Sequence, residues 1–192
     1  MTKTRLEAFS DGVIAILITI MVLELKAPHG PELSALRPVL PSLLAYILSF
    51  IYLGIYWNNH HHLLHATDRV NGAILWANLH LLFWLSLVPF VTSWLGEEPR
   101  APVPAAAYGL VLLAAAIAYT ILARLIIALQ GPHSVLARAI GRDRKGKISL
   151  ALYVVGVAIS FVDPWIADAL YVTVALIWFV PDRRIERQLN HS

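Results

Sequence analysis

The sequence predicts an all-α, polytopic membrane protein with six transmembrane helices. Three observations predict it. Of 192 residues, 58% are hydrophobic and only 14% are charged, whereas a soluble domain, which must solvate its surface, is about a quarter charged. The mean hydropathy is +0.67. Apolar runs approaching or reaching the roughly 17–25 residues that cross a bilayer consume most of the chain. Little remains for a soluble domain, so residues 1–192 read as one six-helix transmembrane domain.

The first run covers about residues 9–25 and ends at a Pro28, Gly30, Pro31 break. It contains Asp11 and lacks a small-residue cleavage site, so it is expected to be retained and not removed as a signal peptide. The second, about 39–60, has Pro41 near its start, where a helix tolerates proline. The third, about 73–95, follows the turn Asp68-Arg69-Val70-Asn71-Gly72, and the fourth, about 102–125, follows Glu97-Glu98-Pro99-Arg100. The fifth, about 148–162, and the sixth, about 165–180, are short. Asp163-Pro164 joins them in a turn tight enough to require a helical hairpin. No soluble linker, low-complexity tract or internal repeat is apparent.

Cysteine is absent, which excludes disulfides and thiolate chemistry. The net charge of +3 does not point to nucleic acid, because the bases lie in loops between apolar runs. They report orientation instead. With the N-terminus inside, 11 of the 15 Lys and Arg fall in inner regions, among them Lys3, Arg5, Arg69, Arg138, Arg144 and Arg187. Three (Lys26, Arg37 and Arg100) fall outside, and Arg124 sits near the inner end of the fourth helix, where it can snorkel. This positive-inside bias places both termini in the cytoplasm.

Polar groups inside a bilayer cost several kcal/mol unless paired, so each needs a reason. The topology puts Arg5, Ser10 and Asp11 of the first helix in or near the inner leaflet. It puts Trp57, Asn58, Asn59, His60, His61, His62 and His65 there from the second, and Asn78 and His80 from the third. A shared hydrogen-bonded cluster across these three helices would satisfy them. His61 and His65, at i,i+4 spacing, also suit a metal pair, or a proton sensor. No HExxH motif supports a catalytic metal, and the nearest acid, Asp68, lies in a loop. Asp11 could serve a proton relay, but no second acid is counted inside another span, so it reads as a structural partner of Arg5.

Within the first helix, Phe9, Gly12, Ile16, Thr19 and Leu23 recur at alternating steps of three and four, with Ile20 adjoining. Helices carrying such a stripe pack around a shared axis, although an all-apolar helix yields stripes easily. Asp11 lies about 140° round the helix from Ile16, pointing away from the stripe, and Val22 lies on its other side. A carboxylate behind and an apolar face with one threonine in front fit a pore gated by hydrophobic side chains. No TVGYG-like run is present to form a carbonyl filter.

Arg5-Leu6-Glu7-Ala8-Phe9-Ser10-Asp11-Gly12 resembles the RxxxFSD signature that opens the first helix in the transmembrane protein 175 family. That family comprises the endolysosomal potassium channel of animals and smaller bacterial relatives. The His-His run after Trp57, and Asn78 followed by Pro89-Phe90, resemble it too. Six spans in this length are similar to the bacterial single-repeat form, which implies a bacterial plasma membrane; the animal form has two repeats. The resemblance further implies a homotetramer with four first helices around the axis, conducting potassium and other monovalent cations without a cofactor and without enzymatic activity. Family pore positions correspond to Ile16, Thr19, Ile20 and Leu23, and the signature Arg5, Ser10 and Asp11 hold helices together behind the pore. Isoleucine at position 20, where leucine also occurs in relatives, leaves open which ring is narrowest.

Two other classes remain. A proton-coupled secondary transporter would need a midplane site at broken helices within repeats, and neither feature is expected here. A membrane metalloenzyme would be built on His60, His61, His62 and His65.

Overall fold

In the computed structural model, residues 2–131, 134, 136–137 and 143–179 are described. Helix α1 covers Lys3–Leu23. A 3-10 segment, Leu33–Val39, runs directly into α2, Leu40–His65. Then come α3, Gly72–Ser86, and α4, Val88–Glu97, followed by α5, Pro102–Gln130. The closing hairpin is α6, Arg144–Ile159, and α7, Pro164–Phe179. Six spans result, with α3 and α4 sharing the third. The expected sixth run extended to residue 180, which lies outside the described residues, as do Arg138, Arg142, Arg183, Arg184 and Arg187.

Local chemistry sets the boundaries. Asn71 caps α3 by accepting the Ile74 N–H at 3.0 Å, and Asp143 caps α6 by accepting the Gly146 N–H at 3.0 Å. Such caps satisfy amide donors that a helix start leaves free. Asp163 accepts the Trp165 N–H at 2.9 Å and so opens α7. Pro41 and Pro102 stand in first turns, where the missing N–H costs nothing. Pro89 acts differently. It cannot donate to the carbonyl four residues earlier, so the third span breaks: the Leu87 N–H turns back to the Trp84 carbonyl at 3.2 Å. The unbroken third segment expected from hydropathy is corrected to two helices.

Helix α5 forms the centre, packing on α3, α4, α6 and α7. Ala105, Tyr108, Leu112, Ala115, Ala118, Leu122 and Ile126 are fully buried along it. Alanine at this spacing lets neighbouring backbones approach, which is how helices associate where lipid is as apolar as leucine. Tyr171 of α7 takes the space that side chains at Gly109 and Gly156 would occupy, locking α5, α6 and α7 together. Its hydroxyl donates to the Ala105 carbonyl at 3.2 Å. Gly96 brings α4 against Ser42 of α2; a Cβ there would lie 2.6 Å from the Ser42 Cα. Helix α1 stands at the side of this bundle, against α2, α3 and α4.

Candidate functional site on the first helix

Helix α1 has two distinct faces. Leu6, Ser10, Ile14, Leu17 and Met21 are buried against the bundle, and their steps of three and four make one seam. The other face is open. Ile16 is 58% exposed, Ile20 39% and Leu23 80%, with Phe9, Gly12 and Thr19 exposed among them. A side chain at Gly12 would meet nothing within 4 Å. The Thr19 hydroxyl donates to the Ile16 carbonyl at 2.8 Å. Its proton is therefore committed to the backbone, and its oxygen lone pairs are left for the open side. Val22, read from sequence as lying opposite the stripe, is 47% exposed; the open face is wider than the stripe.

Behind α1, three side chains from three helices form one chain of hydrogen bonds. Asn78 Nδ2 donates to Ser10 Oγ at 3.0 Å, and Ser10 Oγ donates to the Leu6 carbonyl at 2.9 Å. Asn78 Oδ1 lies 2.7 Å from His60 Nε2. With the Asn78 amide nitrogen spent on Ser10, its oxygen must accept, so His60 carries its proton on Nε2. All three residues are at most 1% exposed. The chain ties α1 to α2 and α3 in a setting where an unpaired polar group is costly.

The remaining expected members lie elsewhere. Asp11 Oδ1 accepts from Trp57 Nε1 at 3.0 Å, a second tie between α1 and α2. Trp57, one of the residues expected in the cluster, supplies the donor that the carboxylate needs through its indole N–H. His61 is exposed and stacks between Trp57 and His65, with ring centroids 6.1 and 6.0 Å apart. His80 accepts from Trp84 Nε1 at 2.9 Å within α3, away from the Ser10 chain. Arg5 is exposed. Among the described residues, no group of three or more His, Asp or Glu is placed to hold a metal.

Two expectations are overturned. Asp168 stands inside α7, so Asp11 is not the sole acid within a span. The third span is broken at Leu87, so an interrupted helix is present after all.

Outside α1 the chain folds back over a cavity of about 510 Å³ lined by Glu24, Lys26, His29, Ser42, Thr92 and Glu97, among others. Lys26 Nζ meets Glu97 Oε1 at 2.6 Å. That hydrogen bond, with the carboxylate's charge, raises the Lys26 ammonium above its ordinary range.

The geometry defines an integral membrane helical bundle whose N-terminal helix is half uncovered. The family described as endosomal/lysosomal potassium channel TMEM175 matches residues 5–89, from the α1 signature to the proline that breaks the third span. A potassium channel of Chryseobacterium sp. (strain P1-3) is 58% identical over 192 residues, all of both chains. The crystal structure of a lysosomal potassium-selective channel TMEM175 homolog from Chamaesiphon minutus superposes with a TM-score of 0.83 at 31% identity. That match covers 94% of this chain and 97% of the other. The endosomal/lysosomal proton channel TMEM175 of Homo sapiens is 34% identical over 52% of this chain and 23% of its own. The chain belongs to the TMEM175 family.

Proposed function

We propose that the chain is one subunit of a homotetrameric, potassium-permeable cation channel in a bacterial plasma membrane, with both termini cytoplasmic and α1 lining the pore. The open apolar stripe on α1 carries this reading: Ile16, Ile20 and Leu23 are large, apolar and uncovered by their own chain. Four copies around an axis would cover them with one another and stack them as apolar rings. Such a constriction resists ions because water leaves it and an entering ion loses hydration without replacement. Four Thr19 oxygens would interrupt the tube with a ring of acceptors, replacing part of a cation's water shell in place of a carbonyl filter. The Ser10–Asn78–His60 chain and the Asp11–Trp57 bond would hold the back of α1 in register. The relatives named as potassium channels support the choice of ion.

A second reading, proton-coupled transport, is favoured by the broken third span and by Asp168. Reversal potentials of the purified protein in planar bilayers under opposed K⁺ and Na⁺ gradients separate the two. A channel gives currents reversing toward the K⁺ potential. Saturable flux that stops without a proton gradient would select the transporter.

A further inference from the structure

Asp168 lies on the fifth residue of α7, one turn inside the membrane-spanning hairpin. Its Oδ1 is buried and meets no hydrogen-bond partner among the described residues. An ionised carboxylate at such a depth needs a cation or several donors to offset lost hydration. No lysine, arginine or histidine of the described residues makes a salt bridge with it. Its electrostatic neighbours are two tyrosines, Tyr108 of α5 and Tyr171 of α7 itself. The other titratable groups on elements packed against α7 at this level are Tyr52 of α2 and Tyr153 of α6, whose ring lies 6.4 Å from that of Tyr171. Asp163, the nearest acid along the chain, caps α7. None of these groups supplies positive charge.

Two of the hydroxyl protons around it are already committed. Tyr171 donates to the Ala105 carbonyl and Tyr52 to the Tyr171 carbonyl at 2.6 Å. Tyr108 shares a hydrogen bond with Ser49 at 2.9 Å, and Ser49 in turn with Thr92 at 2.7 Å. A charged Asp168 would therefore be held without a donor on Oδ1, whereas a protonated carboxyl carries no charge to solvate. We propose that Asp168 is a proton-binding site, separate from the α1 stripe, whose neutral form is the one packed between α5 and α7. The group stabilises the fold when protonated, and that stabilisation is lost as pH rises and the packed carboxyl gives up its proton. Unfolded, the same residue titrates near pH 3.9, about the ordinary value.

Thermal unfolding of the detergent-purified protein and of Asp168→Asn, followed from about pH 3 to about pH 8, tests this. Asparagine is neutral at every pH and nearly the same shape as the protonated acid. The two melting temperatures should coincide at the acid end. Toward neutral and alkaline pH the wild type should fall below the variant, by about several degrees. A difference between the two that stays constant across the range overturns the proposal. Should Asp168→Asn fail to fold, labelling of the wild type with dicyclohexylcarbodiimide, which reacts with protonated carboxyls in apolar surroundings, decides the matter. Modification of Asp168 that declines from acid to alkaline pH supports the site, and none at any pH sinks it.

Discussion

Thr19 is the one hydroxyl on the open stripe, and its proton is bound to the Ile16 carbonyl. An oxygen so oriented can only accept from the open side, which is what a partly dehydrated cation in the proposed pore requires. Replacing Thr19 by valine should lower the preference for K⁺ over Na⁺ and move the reversal potential toward zero under a K⁺/Na⁺ gradient, with yield and assembly unchanged. Thr19→Ser keeps the oxygen and should keep most of the preference; an unmoved potential in Thr19→Val would remove the residue from selectivity. The same scale shows what sequence could and could not resolve behind α1. Depth along the helices, read from sequence, put Ser10, His60 and Asn78 in one neighbourhood, and hydrogen bonds join them there. Azimuth was not legible. Asn78 and His80 are two residues apart, so about 200° apart round the helix, and only one of them can face α1. Asn78 does, and His80 turns to Trp84. Asp168 lies within the sixth apolar run, near its start, and only packing shows that one of its oxygens is buried without a partner.

Among the helices, hydropathy located all six spans, because a run that must hide its backbone from lipid has few alternatives to a helix. Their ends moved. Helix α1 begins at Lys3 and α2 continues to His65, since helical hydrogen bonding goes on past the hydrocarbon edge that hydropathy senses. Pro89 is the sequence signal for the break at Leu87, whereas hydropathy registers only the apolarity of the run around it. Close contact among α5, α6 and α7 was the least legible feature, because Gly109 and Gly156 acquire meaning only once Tyr171 lies against them. Gly109→Ala puts a methyl where the buried Tyr171 hydroxyl lies. The ring cannot retreat without giving up the Ala105 carbonyl, so a loss of about 1–3 kcal/mol is expected from overpacking. Thermal unfolding in detergent checks it. Gly12→Ala, where a methyl meets nothing among the described residues, should not destabilise the isolated subunit, since alanine favours the helix interior over glycine.

For the whole molecule, the fold arranges a closed bundle around α5 and leaves α1 open at its side. The asymmetry of basic residues supports the proposed orientation, with both termini cytoplasmic, and a chain with no cysteine makes that orientation simple to check. Single cysteines at Lys145 and Ser192 should react with an impermeant maleimide only from the cytoplasmic side, and one at Glu98 only from the outside. Outside labelling of the first two would invert the topology. The central claim, however, is that the Ile16, Ile20 and Leu23 stripe on the open face of α1 lines the ion path. Conductance of Ile16→Asn, recorded in bilayers beside wild type and Val22→Asn, tests it most directly. A polar ring in place of Ile16 keeps the constriction wet, and a barrier lowered by about 1.4 kcal/mol raises passage about tenfold. Raised basal conductance and weakened selectivity in Ile16→Asn, with neither in Val22→Asn, is the predicted result. Unchanged conductance in Ile16→Asn together with raised conductance in Val22→Asn would place the pore on another face of the helix.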